Sequence, residues 1–150
     1  KIFANFPHLV AISDSNNDTI MECLTLQRTQ IDRKSRSATY LFLFKGLHGS
    51  EKKNVSLHFS SGDSQDKFVY YTDEDKGRKS VGVVLYTDYK NCYVVDGPYH
   101  NGEHCVLLVA KGKQDNVPEK CKKEFGDICG VAVDVYSRDL CAGNKQGEWA

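Results

Sequence analysis

Cys23, Cys92, Cys105, Cys121, Cys129 and Cys141 are the residues best equipped for chemistry here, and their spacing decides which chemistry. No two form a Cys-x-x-Cys pair. Zinc ribbons and dithiol redox centres need such a pair, because two thiolates must reach one metal, or each other, from a single turn. An even set without it reads as a framework of three disulfides, with the connectivity left open by spacing alone. Disulfides persist in oxidising compartments, so the mature protein is expected to be secreted and extracellular. Asn17-Asp18-Thr19 and Asn54-Val55-Ser56 are acceptor triplets for N-linked sugar and make Asn17 and Asn54 the expected glycosylation sites.

Other reactive groups are not arranged for catalysis. The sequence has no Gly-x-Ser-x-Gly elbow, P-loop, His-Glu-x-x-His or free cysteine set with a histidine, so no catalytic residue is assigned and an enzyme is not expected. His8, His48, His58, His100 and His104 lack zinc-type spacing, and Asp73-Glu74-Asp75 lacks the alternating oxygens of a calcium loop and reads as a wet turn. No metal or cofactor is therefore expected. Twenty Lys and Arg balance 20 Asp and Glu, and a net charge of zero argues against a nucleic-acid partner. The basic run Arg33-Lys34-Ser35-Arg36 has no interleaved aromatics and reads as a solvated loop. Apolar runs such as Cys105 to Ala110 fall far short of the roughly 20 residues of a membrane-spanning helix. No signal peptide is visible, so a secreted chain is expected to have Lys1 in a processed or trimmed position.

The elements that must hold the cysteines are short. His8 to Ser13, Ile20 to Arg28, Thr39 to Lys45, Val55 to Ser60, Phe68 to Thr72, Ser80 to Tyr86, Cys92 to Val95 and Cys105 to Ala110 are rich in Val, Tyr, Phe, Thr and Leu. Gly, Asp, Asn, Ser and Lys fill the gaps, as between consecutive antiparallel strands. After them Val117-Pro118-Glu119 starts a helix, with Cys121, Phe125 and Ile128 on one face and Gly130 as its C-cap. The chain of 150 residues suits one domain: barrel about 7–110, helix about 118–129, C-terminal segment 131–141 and a loose tail 142–150. The fold class is all-β: an eight-stranded antiparallel up-and-down barrel with one amphipathic helix outside. Such a barrel is just wide enough to hold one small ligand. Many strands are apolar on both faces, Tyr40-Leu41-Phe42-Leu43-Phe44 among them, so periodicity does not say which face lines a cavity.

Val84-Leu85-Tyr86-Thr87-Asp88 leading into Asn91-Cys92-Tyr93-Val94-Val95, then Cys105-Val106-Leu107-Leu108-Val109, then Val117-Pro118-Glu119-Lys120-Cys121 with Phe125, Cys129-Gly130, Val135-Tyr136 and Cys141, resemble the tick salivary lipocalins. These are the histamine-, serotonin- and leukotriene-binding lipocalins of ticks. The resemblance covers about residues 80–141, with a weaker echo from Glu22-Cys23 to Phe44. It implies the bridges Cys23–Cys141, Cys92–Cys121 and Cys105–Cys129. It also implies delivery in saliva and suppression of host inflammation or immunity.

Amine-binding members carry an acid just after the cysteine that matches Cys92, and Glu and Trp in the strand that matches Cys105 to Val109. This sequence has Tyr93, Val106 and Leu108 there, and the gapless register brings Leu108, Val109 and Ala110, again without an acid. A buried ammonium ion without a partner costs several kcal/mol, so the expected ligand is small and hydrophobic: a leukotriene, a fatty acid, another eicosanoid or cholesterol. The lining that the resemblance implies is Phe42, Val69, Tyr71, Val81, Val83, Leu85, Tyr93, Val95, Val106 and Leu108, with the Tyr71 hydroxyl orienting the ligand's polar end. Arg28 reads as a surface arginine at a strand end; turned inward it would pair with a ligand carboxylate. Two alternatives stand beside this reading. One is a biogenic-amine scavenger using Asp14, Glu22 or Asp96. The other is an immunomodulator whose outer loops, 46–54 and 96–104, engage a host immune protein. In every case the protein is expected to act as a monomer.

Overall fold

The alternation of β-branched and aromatic stretches with turn residues does produce consecutive antiparallel strands. The computed structural model describes residues 6–15, 22–45, 52–64, 66–73, 79–96, 105–130, 133–136 and 141. Its strands are β1 (His8–Asp14), β2 (Thr25–Asp32), β3 (Ser37–Lys45), β4 (Lys52–Ser61), β5 (Lys67–Thr72), β6 (Ser80–Thr87), β7 (Cys92–Asp96) and β8 (Cys105–Ala110). Each pairs antiparallel with the next, and β1 pairs with both β8 and β2, which closes the barrel. This is the eight-stranded up-and-down barrel of a lipocalin. The expected second strand begins at Thr25 rather than Ile20, because Cys23 takes a left-handed backbone (φ 56°) that a strand does not accommodate. Asn17, the tail 142–150 and most of the loops 46–54 and 96–104 lie outside the described residues.

Helix α1 (Glu119–Cys129) packs outside the barrel over β6, β7 and β8. Pro118 sits at its N-cap, and Gly130 (φ 84°) ends it with its N–H on the Gly126 carbonyl at 3.0 Å. Cys121 and Phe125 are the buried residues of the helix. Ile128, expected on the same face, is instead 41% exposed. The Cys129–Cys105 bridge fixes the azimuth of the last turn, so the inward stripe runs through 121, 125 and 129. A second bridge, Cys92–Cys121, ties the first turn to β7, and Cys23–Cys141 ties the approach to β2 to the C-terminal segment. These are the pairs the resemblance implies. A strand not expected from the sequence, β9 (Val133–Asp134), lies outside the barrel and pairs with the end of β1.

Two apolar layers result. The barrel interior holds Phe6, Leu9, Leu24, Leu26, Tyr40, Phe42, Phe44, Leu57, Phe59, Phe68, Tyr70, Tyr93, Val95, Val106 and Leu108. The second layer, between barrel wall and helix, holds Val10, Ile12, Cys92, Val94, Leu107, Val109, Cys121 and Phe125. Strands β1, β7 and β8 are thus buried on both faces, which is why they read as unbroken apolar runs.

Candidate functional site

Side chains alternate across each strand and register partners share a face, so the interior can be read from strand to strand. Leu9 faces Leu26, Leu26 faces Phe42, Phe59 faces Tyr70, Phe68 faces Gly82, Val84 faces Val95, Val95 faces Val106, and Tyr93 faces Leu108. Aromatic rings occupy most of the space between these walls. Phe59 lies 5.8 Å from Tyr40, 6.2 Å from Phe42, 5.6 Å from Phe68 and 5.8 Å from Tyr70, centroid to centroid. Among them lies a hollow of about 50 Å3 whose wall exposes apolar atoms only.

Phe6 closes one end. It is fully buried, its ring lies 4.3 Å from that of Tyr93, and its carbonyl accepts the Tyr40 hydroxyl at 2.6 Å. Burial pushes the Tyr40 phenol up to about 12, against the opposing charge and hydrogen bond of the Arg28 guanidinium. Burial raises Tyr93 as well, with Tyr40 and Tyr89 adding to it. Both phenols stay neutral inside the barrel at physiological pH. Arg28 is therefore not the surface residue expected: it shares its face with its partner Tyr40, half-buried at this end of the interior. Nearby, burial, then Lys111, then Arg28 hold the His8 imidazole below its usual range.

Four expected lining residues, Phe42, Tyr93, Val95 and Leu108, wall the hollow. Val106 is buried on the same inner face without reaching it. The other five stand elsewhere. Val69, Tyr71, Val81, Val83 and Leu85 take the outer face of β5 and β6, with Val81 60% and Leu85 37% exposed. The inner face of these strands is Phe68, Tyr70, Gly82 and Val84. The alternating Val81, Val83 and Leu85 suggested a buried face, but Gly82 takes the inward position because the Phe68 ring covers it. Tyr71 stacks on His58 outside, with centroids 4.9 Å apart, and His58 bridges Thr39 Oγ1 at 2.9 Å and Asp73 Oδ1 at 2.7 Å. Leu9, Leu26, Tyr40, Phe59, Phe68 and Val84 complete the wall and were missed. A glycine inside a strand, which marks close approach of another group, was the available signal for Phe68.

The three acids that could partner an amine, Asp14, Glu22 and Asp96, stand in different surroundings. Asp96 is exposed and Glu22 precedes β2. Asp14 is fully buried, and a bulge between Ala11 and Ser13 shifts the register so that it faces the interior residue Val106. Among the described residues one group is spaced for a metal, Asp88 with Cys92 and Cys121, and the bridge between those cysteines occupies both sulfurs. No helix among the described residues is long and apolar enough to cross a membrane.

Residues 7–142 match the sequence profile of the tick histamine-binding proteins. The chain belongs to that family. No curated protein sequence matches it. Among solved structures, the AM182–serotonin complex superposes with a TM-score of 0.67 at 16% identity, covering 91% of this chain and 88% of that one. Japanin from Rhipicephalus appendiculatus, bound to cholesterol, gives 0.64 at 14% identity over 86% and 91%. Lobster apocrustacyanin A1 gives 0.61 at 14% identity over 96% and 83%. These likenesses show the fold. This tick histamine-binding family member is a lipocalin-type ligand-binding protein.

Proposed function

We propose that this protein sequesters a small hydrophobic molecule inside its barrel, without chemical conversion, and so removes a lipid signal from the host. The observation that carries the reading is the closed barrel whose hollow is walled by apolar atoms alone. Burial of an acyl chain or sterol ring is worth about 25 cal/mol per Å2 of apolar surface taken from water. A hollow of about 50 Å3 is far below the roughly 300 Å3 and more of ordinary ligand pockets, so binding requires interior rings to turn aside. Three disulfides support secretion, and the exposed Asn54 on β4 is the glycan site reachable among the described residues. Native mass spectrometry of protein secreted from eukaryotic cells tests the reading. A co-purified lipid is expected; an empty protein that also fails to bind palmitate or cholesterol in titration overturns it.

A second reading, capture of a biogenic amine, is favoured by the inward, fully buried Asp14. The family profile is named for histamine, and AM182 was solved with serotonin. Calorimetry with both amines separates the readings: tight binding abolished by Asp14→Asn replaces the lipid assignment.

A further inference from the structure

Gly82 has no side chain, and the space in front of it is occupied. A Cβ built there would fall 2.5 Å from Phe68 Cε1 and 3.1 Å from Cε2, and closer still to Cζ. The far end of the Phe68 ring therefore occupies the place that a Cβ of its register partner would take. Phe68 is 94% buried, touches the Phe59 and Tyr70 rings at 5.6 and 5.9 Å, and forms part of the wall of the hollow. Val84, the next inward residue of β6, borders the same space.

We infer that Phe68, seated on Gly82, is the residue that sets the size of ligand this barrel accepts. The inference rests on the proposed hydrophobic-ligand function and names its specificity element. The geometry has two consequences of opposite sign. A methyl group at 82 evicts the ring, and the unfilled space it can turn into is the 50 Å3 hollow beside it. Loss of the ring instead joins its own volume to that hollow, toward the roughly 150 Å3 at which a dry apolar cavity takes up benzene or xenon. Phe68 meets the bare backbone of Gly82 on one side, and turning a hydrocarbon ring breaks no hydrogen bond. A slim acyl chain needs this ring to turn only partly aside, whereas a fused-ring sterol needs it gone.

Palmitate and cholesterol, titrated separately into the wild type, Phe68→Ala, Phe68→Leu and Gly82→Ala, test this. The expected result is a gain for cholesterol over palmitate of at least tenfold in Phe68→Ala, a smaller gain in Phe68→Leu, and weaker binding of both in Gly82→Ala. Xenon uptake, followed by NMR, should rise in Phe68→Ala and fall in Gly82→Ala, and it reads the hollow even if a variant binds neither lipid. The melting temperature lost in Gly82→Ala should largely disappear when the same change is made in Phe68→Ala. Wild-type binding with an unchanged preference order in Phe68→Ala overturns the size-setting role alone. Absence of lipid binding in every variant, with xenon uptake still rising, overturns the proposed function and the ligand-size role with it.

Discussion

The Asp88 carboxylate organises the turn between β6 and β7. Its Oδ1 accepts the backbone N–H groups of Lys90, Asn91 and Cys92 at 3.0, 2.7 and 3.2 Å, and its Oδ2 accepts Asn91 Nδ2 at 2.8 Å. Burial alone would raise this carboxyl, but the hydrogen bonds outweigh it and hold it below the usual range. A carboxyl depressed in the folded state adds stability above its unfolded pKa, and the gain is lost as pH falls through the folded value. Asp88→Ala should cost about 1–2 kcal/mol at pH 7 and less at pH 3, measured by urea unfolding; an equal cost at both would show that charge plays no part. Thr25 presents the reverse case. Its buried hydroxyl has no hydrogen-bond partner among the described residues, so Thr25→Val should raise stability by about 1 kcal/mol. At this scale the inward places of Tyr93 and Leu108 were legible through the resemblance to the tick lipocalins, not through residue type or periodicity. The sequence was uninformative for Arg28, whose inward turn depends on a partner, Tyr40, brought from another strand.

Helix α1 shows how elements share a task. Two bridges fix its ends to β7 and β8, and Phe125 fills the space between them beneath Val94, Leu107 and Val109. Phe125→Ala should cost about 3–5 kcal/mol in denaturant unfolding if the bridges hold the helix too rigidly for the gap to close. A loss near 1 kcal/mol would mean that the layer collapses around the change. The helix and all eight barrel strands were readable from spacing and turn residues. Which face of β5 and β6 turned inward was not, because apolar residues occupy both faces and a single glycine reversed the apparent pattern. The bulges in β1, β2 and β6 were equally hidden, since an extra residue in a strand leaves no mark in composition.

For the whole molecule the longest constraint is Cys23–Cys141, with 118 residues of sequence separation. Chain-entropy arguments assign such a cross-link about 4–5 kcal/mol, against about 3.5 kcal/mol for the shorter loops closed at the helix. Replacing both Cys23 and Cys141 by Ser should therefore lower the unfolding free energy more than replacing Cys105 and Cys129. The opposite order would place the stabilisation in native packing around the helix. Closure itself is uneven. Along β1, residues His8 to Val10 pair with β2 while Ser13 and Asp14 pair with β9, whereas β3 and β4 match from Ser37 to Lys45 without interruption. A cylinder sewn this way has one weak meridian. Amides along that line should be the first in the wall to exchange with deuterium, and a guest wider than the resting bore would part the staves there, with the nearby Cys23–Cys141 link acting as the strap that limits the gap.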